Sequence, residues 1–202
     1  MIQLKCFHGT SYNNAISILH DQHFRKSDTD KSRMGVGAYF FCQAGNTADY
    51  ALRCARELEK FHRKKKHPDG YGIISCDVEC DDEEYLDLYS PEALETFHSM
   101  RYLMLNRSLK VDPEYKYKSA AVADTQVFNV LRDLRKIAVI RCPQFFGMFE
   151  EEKKFEFREG PNFPKTYVPN VIMACVDTDI AIVKNIKLVE GERYDNEHEQ
   201  FI

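Results

Sequence analysis

The sequence predicts an α+β fold, and three observations carry that prediction. Short apolar runs of strand length are interspersed with longer stretches whose apolar residues recur at helical spacing. The two kinds follow one another in mixed order, without the regular βαβ alternation of a parallel sheet. At 202 residues the chain lies slightly above the usual size of one domain, roughly 100 to 200 residues, so a single compact domain over residues 1–202 is expected. Hydrophobic and charged fractions of 44% and 30% are those of a globular protein and exclude wholesale disorder.

Taken in order, IQLKCF (2–7) reads as a strand. SYNNAISILHDQHF (11–24) spaces Ala15, Ile18 and Leu19 as a helix does, with Asn13 or Asn14 as its cap. The polar RKSDTDKSR (25–33) is loop-like and runs into GVGAYFF (35–41), a second strand. In NTADYALRCARELEKFHRKKKH (46–67), Ala48, Ala51, Leu52, Ala55, Leu58 and Phe61 form a helical stripe. Its basic end, Arg63 to Lys66, suits a helix C-terminus, where cations oppose the macrodipole, and reads as solvated in preference to phosphate-binding.

IISCDVEC (73–80) is the next strand. YLDLYSPEALETFHSMRYLMLN (85–106) follows, with Ser90 and Pro91 as helix cap and first turn. ADTQVFNVLRDLRK (123–136) is a further amphipathic helix and IAVIRC (137–142) a further strand. Residues 143–169 show little periodicity and read as a long functional or partner-contacting loop. NVIMACV (170–176) and IAIVKNIKLVEG (180–191) are strands around the turn DTD, and 192–202 is a charged tail.

No apolar run approaches the roughly 18 residues needed to cross a bilayer, and MIQLKCFHGT lacks the basic-then-apolar plan of a signal peptide, so a cytoplasmic location is expected. The seven cysteines, Cys6, Cys42, Cys54, Cys76, Cys80, Cys142 and Cys175, include no CxxC pair and no zinc-like spacing. Buried free thiols are expected, and no metal. A formal charge of −4 supplies no general attraction to nucleic acid, although a local basic patch would.

Two stretches stand out from this frame. In FHGT (7–10), His8 ends a strand beside Gly9, where the missing side chain lets a ligand reach the main-chain N–H and C=O. Thirty residues on, GVGAYFFCQAGNTADYA (35–51) sets two glycines before Tyr39. GVG is not a dinucleotide fingerprint, because the third glycine is missing and no helix begins there. Each stretch alone is compatible with core sequence around a turn, His8 being then a satisfied core histidine.

Together, the order His-Gly-Thr, helix, loop, Gly-x-Gly-x-Tyr-Phe, then a helix near Thr47 and Tyr50 resembles the NAD-binding half of the diphtheria-toxin-like and PARP-like ADP-ribosyltransferases. The resemblance covers roughly residues 4 to 55 and, with less specificity, the late strand. It implies two packed, mostly antiparallel sheets with flanking helices. It also implies that His8 hydrogen-bonds a ribose hydroxyl of NAD, that the Gly9 backbone holds the nicotinamide carboxamide, and that Thr10 lies near the ribose. By the same match, Tyr39 is the strand tyrosine, Thr47 replaces a serine that bonds the carboxamide, and Tyr50 stacks on the nicotinamide ring. His8 and Tyr39 are then the catalytic pair, and NAD is a co-substrate.

These residue types suit the chemistry in their own right. A cationic nicotinamide ring gains about 0.5 to 2 kcal/mol from an aromatic face. A few paired polar groups orient it within an apolar pocket. Clamped so, the glycosidic bond can stretch toward an oxocarbenium-like state, which preorganised dipoles favour. Gly35 and Gly37 are expected to bring the strand of Tyr39 close to the ligand.

The late strand departs from the family pattern. Where polymerising members carry a glutamate, this chain has Ile172 or Met173, neither of which can act as a base. That implies transfer of a single ADP-ribose unit to a macromolecule, protein or nucleic acid, or else an NAD or ADP-ribose binding module without turnover. An RNA 2′-phosphotransferase on the same scaffold ranks third, because Arg63 to Lys66 is the only compact basic cluster. Asp177, Asp179, Glu150 to Glu152 and Glu156 read as solvated charges. QFFGMF (144–149) and FREGPNFPKTY (157–167) read as core and antitoxin-facing surface in preference to a grip on single-stranded nucleic acid. Stand-alone family members of this size suggest a toxin of an antitoxin-controlled or phage-defence system, with an antitoxin or chaperone as partner.

Overall fold

The computed structural model describes residues 1–27, 34–43, 48–62, 69–114, 120–144 and 171–194. Its strands are β1 (Ile2–Ser11), β2 (Ala38–Cys42), β3 (Gly70–Cys80), β4 (Tyr85–Asp87), β5 (Val139–Gln144), β6 (Val171–Val176) and β7 (Ile182–Arg193). The helices are α1 (Tyr12–Asp21), α2 (Ala48–His62), α3 (Pro91–Val111) and α4 (Ala120–Arg135). The seven strands hydrogen-bond in the order β4-β5-β6-β2-β1-β3-β7. Every neighbouring pair is antiparallel except β4 and β5.

The α+β expectation holds, and the strands are mostly antiparallel, but they form one hydrogen-bonded sheet in place of two packed ones. The reason lies in the central strands, which are apolar on both faces and so need cover on both. Phe7, Phe41, Ile73, Ile140 and Met173 face Ala51 and Ala55 of α2, Phe97 of α3 and Phe128 and Leu131 of α4. Cys6, Phe40, Ile74, Cys76 and Val176 face the other way, with Ala15 and Ile18 of α1. Among the described residues, helices pack on both faces of this sheet.

The junction of β1 with β2 is much shorter than its junction with β3. β1 registers with β3 along its whole length, from Ile2 opposite Cys80 to Ser11 opposite Tyr71. With β2 it registers only at Cys6–Cys42 and Phe7–Phe41. The sheet is therefore two halves, β4-β5-β6-β2 and β1-β3-β7, joined along a short seam.

Local chemistry accounts for the elements the sequence placed differently. The cap of α1 is Ser11, not Asn13 or Asn14: Ser11 is the last extended residue, and its Oγ accepts the Asn14 N–H at 3.4 Å. Asn13 donates its N–H instead to Asp69, at 2.8 Å. Tyr85–Asp87 is a strand running parallel to β5, so the helix that follows starts only at Pro91. There the expected cap is present, with Ser90 Oγ accepting the Ala93 N–H at 3.0 Å. All seven cysteines are reduced, and all but Cys142 are buried, as expected. Burial pushes the Cys76 thiol up to about 12. Among the described residues no helix is long and apolar enough to cross a membrane.

Candidate functional site

The seam dictates which main-chain groups of β1 face β2. In an antiparallel strand the N–H and C=O of alternate residues point to opposite neighbours. The Lys5 carbonyl accepts the Gln43 N–H at 3.0 Å, so Lys5, Phe7 and Gly9 present their amide groups toward β2. The ladder ends at Phe7–Phe41, and the Gly9 amide groups therefore face the side on which the two strands part.

One side-chain bond spans that parting. His8 Nδ1 lies 2.8 Å from the main-chain oxygen of Tyr39. A carbonyl only accepts, so Nδ1 carries a proton and donates it to Tyr39. The imidazole packs edge-on against Phe24 at 5.4 Å and beside Phe40 at 5.7 Å. Ring position is thus set by neighbours on two segments, β2 and the stretch that follows α1.

Tyr39 uses its hydroxyl differently. The oxygen accepts the Met34 N–H at 2.9 Å and donates to the Gly35 carbonyl at 2.8 Å, closing the turn before β2. The ring packs on the α2–α4 side, opposite the face that His8 shares with Phe24 and Phe40. The Tyr39 hydroxyl is thus engaged within the fold.

Gly35 and Gly37 pack closely against the scaffold. Gly35 has φ +84°, and a Cβ there would meet Asn129 Oδ1 at 2.4 Å. A Cβ on Gly37 would meet Cys175 Sγ at 2.5 Å. The missing side chains let the turn press against α4 and β6. Asn129 Oδ1 accepts the Val36 N–H at 2.8 Å, and Arg132 Nη2 donates to the Cys175 oxygen at 3.2 Å. Arg132 is buried, and among the described residues its Nε and Nη1 have no hydrogen-bond partner. Burial pushes the Cys175 thiol up, and Arg132 pulls it back.

Gly9 meets a residue the sequence reading passed over. A Cβ on Gly9 would lie 2.7 Å from Glu59 Oε1 and 2.8 Å from Glu59 Cγ. Glu59 is 2% exposed, so its carboxylate is inside the protein, in the notch left by the missing side chain. The signal was present: Ala51, Ala55 and Glu59 fall four apart, on the buried face of α2. Thr10 points to the other side, buried, its Oγ1 accepting from Asn14 Nδ2 of α1 at 3.5 Å. Thr47 lies outside the described residues, and Tyr50 is placed only as backbone in the first turn of α2.

On the late strand, Met173 registers with Phe41 and is 8% exposed, and Ile172 registers with Pro143. The residue opposite Tyr39 is Cys175. Asp177 and Asp179 are not simply solvated, since both bind Lys26, Asp177 at 2.9 Å. Glu150 to Glu152, Glu156, Arg63 to Lys66 and 157–167 lie outside the described residues, as does 144–149 apart from the backbone of Gln144. No family model matches the chain, and no curated protein or solved structure matches it either.

Proposed function

We propose that the chain is an NAD-dependent mono-ADP-ribosyltransferase acting on a macromolecular acceptor. The observation that carries this reading is the seam. His8 and Gly9 line one side of it and Tyr39 the other, with the imidazole held in orientation by the Tyr39 carbonyl. Gly9 presents a donor and an acceptor of main-chain type, the pair a carboxamide requires. In this reading the His8 imidazole serves a ribose hydroxyl, and the Tyr39 ring gives an aromatic surface. In the reaction, the bond from C1′ to the nicotinamide nitrogen breaks with its electron pair going to the ring, and an acceptor lone pair forms the new bond to C1′ as the acceptor proton passes to solvent. The protein's part is to hold ring and ribose in fixed relation.

The test is incubation with NAD labelled in the adenylate phosphate, offering protein, RNA and DNA separately. Retained label in one acceptor class, with nicotinamide release, is expected, and both should drop in His8→Ala. Absence of both from the wild type sinks the proposal.

A second reading, an NAD or ADP-ribose binding module without turnover, draws on the late strand. Met173 is in the core and cannot serve as a base, and Ile172 is equally apolar. Tight NAD binding without nicotinamide release in any acceptor mixture would favour it.

A further inference from the structure

We propose that Cys6 and Cys42 are an oxidisable pair, which a hydroperoxide converts into a disulfide that clasps the seam between β1 and β2. The proposal does not depend on what the site binds. The two residues stand opposite each other in the register of the seam, and their Sγ atoms lie 3.5 Å apart. Both are buried free thiols.

The ladder explains this close approach. The Gln43 N–H bonds the Lys5 carbonyl, which makes Lys5 and Gln43 a hydrogen-bonded pair and Cys6 and Cys42, one step along, a pair of the other kind. In such pairs the Cα atoms are about 4.5 Å apart and the side chains are at their closest. Disulfides span Cα separations of roughly 4.4 to 6.8 Å, so the bond calls for a turn of two side chains and no shift of strands. Cys6 also registers with Cys76 on β3, but there its amide groups join the ladder and the side chains stand farther apart. Cys42 is therefore the partner within reach.

Burial sets the route. Cys6 is 0% exposed and Cys42 3%. Burial, with Cys42 alongside, holds the Cys6 thiol well above its ordinary value of 9.0. The thiolate is the nucleophile, so the closed seam reacts slowly. With only Cys6–Cys42 and Phe7–Phe41 in register, the seam is also the shortest junction in the sheet, and the one with the fewest main-chain bonds to break in a local opening. In the opened seam one thiolate attacks a peroxide oxygen. An S–O bond forms, the O–O bond breaks, and the departing hydroxide leaves as water with the thiol proton. When the seam closes, the second sulfur attacks the sulfenic sulfur. The S–S bond forms, and the hydroxyl leaves as water with the second thiol proton. Two thiols have then lost one electron each, and one hydrogen peroxide has become two waters.

The bond falls two residues before His8 and three after Tyr39, where the two strands begin to part. It ties the segments that the short ladder holds least firmly, so opening of the seam should be suppressed in the oxidised protein.

The folded wild type is treated with hydrogen peroxide, quenched by alkylation and digested with trypsin without reduction. Cys6 and Cys42 fall on separate peptides, 6–25 and 34–53, while Cys76 falls on a third, 67–101. Peptides 6–25 and 34–53 should appear linked, and the link should vanish on treatment with dithiothreitol. Hydrogen exchange of the Gln43 amide, which bonds across the seam, should slow about tenfold or more in the oxidised protein. A link from 6–25 to 67–101 in its place overturns the proposal. So does a link between 6–25 and 34–53 that forms only in urea, or none at all. A correct link with unchanged Gln43 exchange overturns the clasp. No variant is needed for these outcomes, and none of them bears on the proposed function.

Discussion

His8 and Tyr39 are joined across the parting of β1 and β2 by a hydrogen bond from imidazole Nδ1 to main-chain oxygen, at 2.8 Å. Their side chains lie on opposite faces of the sheet. The bond places a proton on Nδ1 and fixes the orientation of the imidazole. In His8→Ala, nicotinamide release should fall about 100-fold through lost orientation of the ribose. The fold should survive with a loss of about 1 to 3 kcal/mol. Release assays and urea titration of the same sample check both, and full activity in the variant would remove His8 from the site.

The contact of Gly9 with Glu59 predicts a non-additive pair. Gly9→Ala alone forces the Glu59 side chain aside and should destabilise the protein by about 1 to 3 kcal/mol. In a Glu59→Ala background the same change meets none of its three nearest neighbours beyond Cβ, and its cost should largely vanish. A urea double-mutant cycle with a coupling energy near zero would show that the packing is not as described.

Tyr39 separates structure from binding. Tyr39→Phe leaves the Met34 N–H, on a residue that is 0% exposed, without its hydroxyl partner, and should cost about 1 to 3 kcal/mol. Because the ring remains, NAD affinity should change less than threefold. Tyr39→Ala removes both and should weaken NAD binding by about tenfold, within the range of one aromatic contact. Equal losses of affinity in the two variants would assign the hydroxyl to the ligand.

Acid stability depends in part on Asp77. Hydrogen bonds from Asn185 and Lys5 hold its carboxyl below the ordinary value of 3.8. A folded value below the unfolded one gives stability that is fully present above the unfolded value and lost as pH falls through the folded one. Thermal midpoints should therefore fall below about pH 4. Asp77→Asn should be less stable than the wild type at pH 7 and lose less on going to pH 2.5. Parallel pH curves for the two would exclude Asp77 as a contributor.

The sequence by itself determined what is local. The stripe of α2 follows from Ala51, Leu52, Ala55 and Leu58, because helical neighbours are three and four residues apart. The cap at Ser90 and Pro91 is chemistry within four residues, and cysteines without disulfides are legible from composition and spacing. Only the tertiary structure decided what depends on contacts between distant segments. The single sheet and its seam turn on pairings between residues as far apart as Tyr39 and Cys175. The use of the Tyr39 hydroxyl depends on how its turn closes, and the packing of Gly35 and Gly37 on where α4 and β6 lie. Glu59 combines the two: its place on the buried face of α2 is local periodicity. That this face lays a carboxylate against Gly9, some fifty residues earlier, is a consequence of packing that no local pattern encodes.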